Sequence, residues 1–283
     1  MENVLACIDA SSYATSVCDL SAWAAKRLGL PVELLHVVQR KDAVAARGDL
    51  SGAIGLGAKT ELMEELVRLE EADARLQVER GRALLAAAEA RLRESGVSNV
   101  RVLHRHGGIV ETILEQETDA RVVVIGKRGA SHEFATDHIG SKIERVVRAS
   151  SKPILIASRV AEEPRQIVFA YDASAAANRA LERLVNSPLF AGLPVHLVMA
   201  DSDNEAHRRS LDNAAAQLRA GHEVTTTLRK AKPEQLIGDI VAQTPGAMLM
   251  MGAYGHSPLR TLIVGSTTTA MIRTVRVPVL LVR

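Results

Sequence analysis

The sequence predicts two tandem α/β domains, each a doubly wound, five-stranded parallel β-sheet with helices on both faces. Internal repeats indicate the duplication: Gly29-Leu30-Pro31-Val32 recurs at 192–195, and Asp9-Ala10-Ser11 recurs at 172–174, both displaced by 163 positions. Strand-like and helix-like segments alternate within each copy. This alternation is typical of parallel sheets, because right-handed crossovers place a helix over the sheet between successive strands.

The predicted strands are short, rich in β-branched residues and almost entirely apolar, as strands buried on both faces should be. They span 3–9, 31–37, 99–105, 121–126 and 153–157 in the first copy, and 166–172, 194–200, 223–229, 247–252 and 278–282 in the second. Helices are predicted between them, for example over 14–28, where apolar residues recur at steps of three and four. We place the domain boundary near Val160 to Pro164, which gives domains of 1–160 and 161–283.

The first copy carries 37 extra residues after its second strand, within about 39–95. A Gly/Ala-rich stretch, which either covers a bound ligand or fills its place, is followed by a helical pattern over about 60–93; the second copy has one short helix in the matching part, 201–221. We expect the apolar stripe of the long helix to face the core, the alternatives being a partner-binding or membrane-surface face. The stripe consists of Leu62, Leu66, Leu69, Ala72, Leu76, Ala83, Ala87 and Ala90.

Composition excludes several classes of function. The 283 residues include 35 Lys+Arg and 33 Asp+Glu, so no broad basic surface is available for nucleic acid, and an aromatic content of 2% leaves little for base stacking. No apolar run reaches the roughly 18 residues of a membrane span, and the N-terminus lacks the basic residues of a secretory signal. We therefore expect a cytoplasmic protein that binds neither nucleic acid nor membrane, with Cys7 and Cys18 as buried thiols without a chemical role.

Candidate ligand-binding residues stand where the predicted strands end. Asp9 and Asp172 end the first strand of each copy, and Gly126 and Gly252 end the fourth. Ligands of open α/β sheets bind beyond the carboxyl ends of the strands, near the point where the strand order reverses. If the first and fourth strands are neighbours, each copy brings a carboxylate and a glycine loop to one crevice.

The second copy contains a glycine-rich loop that leads into a helical stretch. After Gly252 the loop contains Gly255 and Gly265, and Ser266 and Thr267 follow directly. Glycines let a phosphate chain approach backbone amides, and a helix start adds unpaired N–H groups and hydroxyl donors. The loop indicates an anion site, although such residues also suit a tight strand-to-helix turn with a serine N-cap.

The loop resembles the ATP-binding branch of the universal stress protein family, whose signature is Gly, two residues, Gly, nine residues, Gly, then Ser or Thr; the second copy matches it without a gap. The resemblance covers nearly the whole chain. It implies a Rossmann-like strand order of 3-2-1-4-5 and pairing through the fifth strands, so that the copies form a pseudo-dimer. It also implies that ATP or ADP, with or without Mg, is bound by Asp172, Ala200, Gly252, Gly255, Gly265, Ser266 and Thr267.

The first copy departs from this signature, because ten residues rather than nine precede its third glycine. Either a bulge absorbs the extra residue, with Lys127 and Arg128 adding positive charge near the loop, or the pocket has been lost. If the pocket is kept, the corresponding nucleotide site consists of Asp9, Val37, Gly126, Gly129, Gly140 and Ser141.

Two histidine groups are weaker candidates for metal binding. His36, His104 and His106 lie on strands expected to be adjacent, and the segment 132–138 contains two further histidines. Neither group has an evident full ligand set, so we expect no metal site. No pattern pairs a nucleophile with a base, so we expect no catalytic residues.

These observations predict a stress-response regulatory or signalling module that binds an adenine nucleotide, mainly in its C-terminal domain. Two alternatives remain open: a nucleotide-free dimerisation and interaction platform with the same fold, and a slow ATP-hydrolysing enzyme. A homo-oligomer and an unidentified protein partner are compatible with the regulatory module and with the interaction platform.

Overall fold

A single β-sheet extends through the described part of the chain, which comprises residues 1–39, 56–129, 141–253 and 266–283 of a computed structural model. In the first copy the strands are β1 (Asn3–Cys7), β2 (Val32–Val38), β3 (Val100–His106), β4 (Ala120–Gly126) and β5 (Ile154–Ala157). In the second copy they are β6 (Gln166–Ala170), β7 (Val195–Met199), β8 (Val224–Leu228), β9 (Ala247–Gly252) and β10 (Val279–Val282).

The strand order is β3-β2-β1-β4-β5-β10-β9-β6-β7-β8. Strands within each copy are parallel and follow the order 3-2-1-4-5 that the family resemblance implied. The copies meet at β5 and β10, which pair antiparallel, with Ile156 opposite Val279. The doubly wound α/β fold is confirmed, and the two copies form one continuous sheet.

Helices cover both faces of this sheet. They are α1 (Ala14–Leu28), α2 (Leu56–Glu94), α3 (Ile109–Gln116), α4 (Ser141–Ala149), α5 (Ala175–Asn186), α6 (Glu205–Leu218), α7 (Pro233–Ala242) and α8 (Ser266–Thr274). Side chains of α1, α2, α5 and α6 form the apolar core on one face, and those of α3, α4, α7 and α8 form the core on the other. Among the described residues, none of the helices is long and apolar enough to cross a membrane.

The C-terminal half of the long helix α2 packs against the sheet. Leu85, Ala88 and Leu92 of this half are buried in the core. The predicted stripe points elsewhere: Leu69 is 59% exposed and Leu76 46% exposed, and the alanines at 83, 87 and 90 are exposed. The side chain of Leu62 lies outside the described residues and Leu66 is half-buried, but the rest of the stripe is exposed. The prediction that the stripe faces the core is therefore wrong. The helix carries two apolar stripes, about 160° apart at 100° per residue, and the tertiary contacts decide which one is buried.

Side chains also connect the two copies across the sheet junction. The Arg27 guanidinium in α1 donates a hydrogen bond to the Leu189 carbonyl at 2.6 Å, and Arg283 donates to the Arg148 carbonyl at 2.9 Å. Residues 158–165 connect β5 to β6. The junction therefore combines strand pairing with contacts between side chains and carbonyl groups.

Candidate functional site

The candidate site of each copy lies at the carboxyl ends of two neighbouring parallel strands. β1 pairs with β4, and β6 pairs with β9. Asp9 and Asp172 lie two residues beyond β1 and β6 rather than at their last residues, and Gly126 and Gly252 end β4 and β9. The topology thus brings each aspartate and its glycine to the same edge of the sheet, at the switch point where such folds bind ligands.

Each aspartate shapes the turn that follows its strand. Asp172 Oδ1 accepts a hydrogen bond from the Ser174 amide at 3.0 Å, and Asp9 Oδ1 accepts one from the Ser11 amide at 3.1 Å. Ala173, between the first pair, has a φ of 57°, which is uncommon for a residue with a Cβ. One carboxylate oxygen of each aspartate therefore holds the turn, and an asparagine would retain that acceptor.

The glycines that end β4 and β9 are required by packing. A Cβ on Gly252 would lie 2.7 Å from backbone atoms of Ala176 and Ala177 at the start of α5. A Cβ on Gly126 would lie 2.7 Å from the Cβ of Tyr13, next to α1. Since neither position accommodates a side chain, these two glycines have a structural reason to be there whether or not a ligand binds.

Part of the predicted loop lies outside the described residues, namely Gly140, Gly255 and Gly265. The described chain resumes at Ser141 and Ser266, the first residues of α4 and α8. Each glycine loop is thus followed by a helix, which the pattern predicted for the second copy, and a helix N-terminus offers unpaired amides and the positive end of its dipole. Thr267, in the first turn of α8, is partly buried.

In the first copy a buried aromatic side chain adjoins the crevice. Tyr13 stands where the 163-residue displacement places Ala176 in the second copy. It is 6% exposed and lies directly against Gly126. Nearby, a Cβ on Gly129 would come within 3.0 Å of Asp9 Oδ2, so the loop of the first copy lies close to its own aspartate. Tyr13 therefore occupies the space beside Gly126, and the loop at Gly129 lies against Asp9.

Lys127, between the first two glycines of the first copy, contacts the second copy instead. Its Nζ donates a hydrogen bond to the Val275 carbonyl, just past α8, at 2.9 Å. Burial, together with the nearby cations Arg128 and Arg276, lowers the pKa of Lys127 to about 8. Lys127 therefore serves the junction between the copies, a role that its position in the loop did not indicate.

A polar cluster that the sequence analysis did not select follows β7, next to Ala200. Asp201 accepts a hydrogen bond from the Ser202 amide, which lowers the pKa of Asp201, and Asn204 caps α6 through the His207 amide at 2.9 Å. Because β7 pairs with β6, this cluster lies at the same edge as Asp172. The Asp-Ser-Asp-Asn run before a helix was the available signal.

In the first copy, Val37 lies within β2, one residue before its end.

Three histidines are neighbours on β2 and β3. The ring centroid of His104 lies 5.5 Å from that of His36 and 5.8 Å from that of His106. His36 Nδ1 lies 2.9 Å from the Ile8 carbonyl oxygen. His104 Nε2 is buried without a hydrogen-bond partner in the described structure, beneath Gly81 of α2, and its pKa is lowered by burial and by the neighbouring histidines. Within the described ranges, no group of three His, Cys, Asp or Glu side chains is arranged to hold a metal ion; the segment 132–138 lies outside them.

Two doubly wound α/β units that share one sheet, each with an aspartate after its first strand and a glycine at the end of its fourth, define a tandem Rossmann-like protein. The model of the universal stress protein family matches residues 1–158 and 163–283. The chain belongs to the universal stress protein family and contains two of its domains in tandem.

Similar proteins span the full length of the chain. It is 33% identical over 287 residues to the universal stress protein Slr1230 of Synechocystis sp., with 100% of both chains covered. A universal stress protein from Archaeoglobus fulgidus DSM 4304 has a TM-score of 0.73 at 21% identity, covering 99% of this chain and 98% of that one. A putative universal stress protein from Pseudomonas aeruginosa UCBPP-PA14 has a TM-score of 0.60 at 14% identity, covering 100% and 93%. At these identities the two structures show the fold.

Proposed function

We propose that this tandem universal stress protein binds an adenine nucleotide, ATP or ADP, in its second domain and acts as a stress-response regulator through that binding. The observation that carries the proposal is the gap-free spacing of Gly252, Gly255, Gly265 and Ser266 in the same copy as Asp172. The strand order supports it, since β6 and β9 are neighbours. Occupancy by a nucleotide would stabilise the conformation that binds it and thereby alter partner binding by linkage.

The proposed site divides the nucleotide between two kinds of protein group. The amides at the start of α8, with Ser266 and Thr267, hold the phosphates, with or without Mg²⁺, because a helix N-terminus favours anions. Asp172 accepts hydrogen bonds from the ribose or the base, and Ala200 directly follows β7, the strand that pairs with β6. Gly252 packs on the start of α5, directly after the turn that Asp172 holds, so this turn and the strand that leads into the glycine loop lie close together.

The test is to denature freshly purified protein, identify any released nucleotide by mass spectrometry and count moles per chain. We expect about one ATP or ADP per chain, and calorimetric binding of Mg-ATP by protein stripped of nucleotide. Gly265→Glu places a negative charge in the phosphate loop and should abolish binding, and Asp172→Asn, which retains the turn acceptor, should weaken it. Asp9→Asn is the matched control in the first copy and should leave binding unchanged.

Absence of released nucleotide, together with no calorimetric response to Mg-ATP, would refute the proposal and favour the interaction platform. Unchanged affinity in a folded Gly265→Glu variant would show that the assigned loop is wrong. Steady phosphate release that is lost in Asp172→Asn would instead support slow hydrolysis.

For the first domain we propose a structural role without nucleotide. Tyr13 is buried beside Gly126, the loop is one residue longer, and Lys127 is committed to the Val275 carbonyl. Two nucleotides per chain in the same measurement would contradict this proposal.

A further inference from the structure

The part of α2 before its contact with the core presents an apolar face to solvent. Leu69 and Leu76 are 59% and 46% exposed, and Ala72 between them is also exposed. Residues at i, i+3 and i+7 share one side of a helix. This face, defined here as residues 65–80 around Leu69 and Leu76, points about 160° away from Leu85, which packs into the core.

Opposite charges border the face at its two ends. Glu65 lies one helical turn before Leu69, and Arg80 lies one turn after Leu76. Residues 64–73 contain five acidic side chains and one basic one, whereas residues 74–82 contain three basic side chains and one acidic one. The helix therefore changes from acidic to basic along the face, and a second copy running in the opposite direction would match it.

An antiparallel alignment of two copies is self-complementary. With a two-fold axis between Ala72 and Asp73, Leu69 lies opposite Leu76 of the second copy and Glu65 lies opposite its Arg80. Each contact then occurs twice, as a two-fold interface requires. A parallel alignment would instead place Glu65 beside Glu65 and Arg80 beside Arg80, and such like-charge contacts are unfavourable.

We propose that this chain forms a homodimer through residues 65–80 of α2, packed antiparallel about that axis. The fifth strands, which the family resemblance assigns to pairing, already pair inside the chain as β5 and β10, so a further dimer must use another surface. Sixteen residues of helix extend about 24 Å. This length makes a small interface, so the dimer should be weak and dependent on concentration. Glu65 Oε2 lies 3.9 Å from Nη1 of Arg68 in its own helix. Because this ion pair is exposed, Glu65 can leave Arg68 for Arg80 of the second copy at little cost in free energy.

The test is sedimentation velocity of the full chain over a wide range of protein concentration. We expect a reversible equilibrium between monomer and dimer, and only monomer for the double variant Leu69→Glu/Leu76→Glu. Glu65→Arg should weaken dimerisation at least about tenfold, because it creates two like-charge contacts per dimer. Adding Arg80→Glu to Glu65→Arg should restore the dimer, because the pair is then reversed but still complementary.

Glu71→Arg is the matched control, since it makes the same change of charge on the same helix about 200° from Leu69. It should leave the dimer intact, and circular dichroism confirms that each variant is folded. A chain that stays monomeric at every concentration would overturn the proposal, as would a dimer that survives Leu69→Glu/Leu76→Glu or a charge exchange that fails to restore association. Nucleotide content is counted on the same samples, so the two proposals fail or succeed separately.

Discussion

Replacing Gly252 by alanine tests whether the end of β9 requires glycine for packing. The added Cβ would lie 2.7 Å from the carbonyl carbon of Ala176 and from the amide nitrogen of Ala177, and 3.0 Å from the Cβ of Ala176. These are backbone atoms and a rigid side chain at the start of α5, so no rotamer change relieves the contact. The helix must move away from the strand, or the strand must bend.

The expected cost follows from two opposing contributions. Overpacking a well-packed site costs about 1–3 kcal/mol. Replacing glycine by alanine also restricts the unfolded chain, which stabilises the protein by about 0.4–1 kcal/mol. Taking the middle of both ranges, we expect Gly252→Ala to lower the free energy of unfolding by about 1.3 kcal/mol, which corresponds to a fall in Tm of roughly 3–5 °C for a domain of this size.

Gly238→Ala is the matched control. Gly238 lies inside α7 of the same domain, and a Cβ there would meet nothing within 4 Å. Because alanine is the better helix former, this variant should gain about 0.5–1 kcal/mol. Calorimetric melting and urea unfolding without nucleotide would measure both variants, and the two substitutions should move stability in opposite directions.

A Gly252→Ala protein as stable as the parent, alongside a stabilised Gly238→Ala, would refute the packing argument. The requirement for glycine would then have to come from the close approach of a ligand. In that case the variant should differ from the parent in nucleotide affinity and not in Tm.

Two further predictions concern ionisable groups that are buried or partly buried. The free energy of unfolding should fall as the pH drops below about 6.5. Burial lowers the folded-state pKa of His104 and His196, so the unfolded chain binds protons at a higher pH than the folded protein does. A urea midpoint that does not change between about pH 8 and about pH 5 would contradict this prediction. Glu117→Ala should cost about 2–4 kcal/mol in urea unfolding, because the buried carboxylate accepts hydrogen bonds from the Ser150 hydroxyl and from the Ser151 amide at 2.9 Å and hydroxyl at 3.1 Å; a loss below about 0.5 kcal/mol would show that water replaces these partners.

The duplication, the fold class and the approximate strands can be predicted from the amino-acid sequence alone. Each of them depends on a pattern that is visible in the sequence. Matching motifs are displaced by 163 residues, and short apolar runs alternate with segments of helical periodicity. The order of the strands followed from the family resemblance and agrees with the structure. The resemblance also predicted which loop residues bind a nucleotide, and nucleotide binding by these residues stays a prediction.

Contacts between residues that are far apart in the chain became known from the folded structure. Sequence periodicity could not choose between the two apolar stripes of α2, because both have helical spacing and the choice depends on what the sheet offers. It could not show that Gly252 packs on α5, or that Lys127 bonds to the Val275 carbonyl 148 residues away. Such contacts join segments that are remote in sequence, so their partners are defined by the folded arrangement and not by any local pattern.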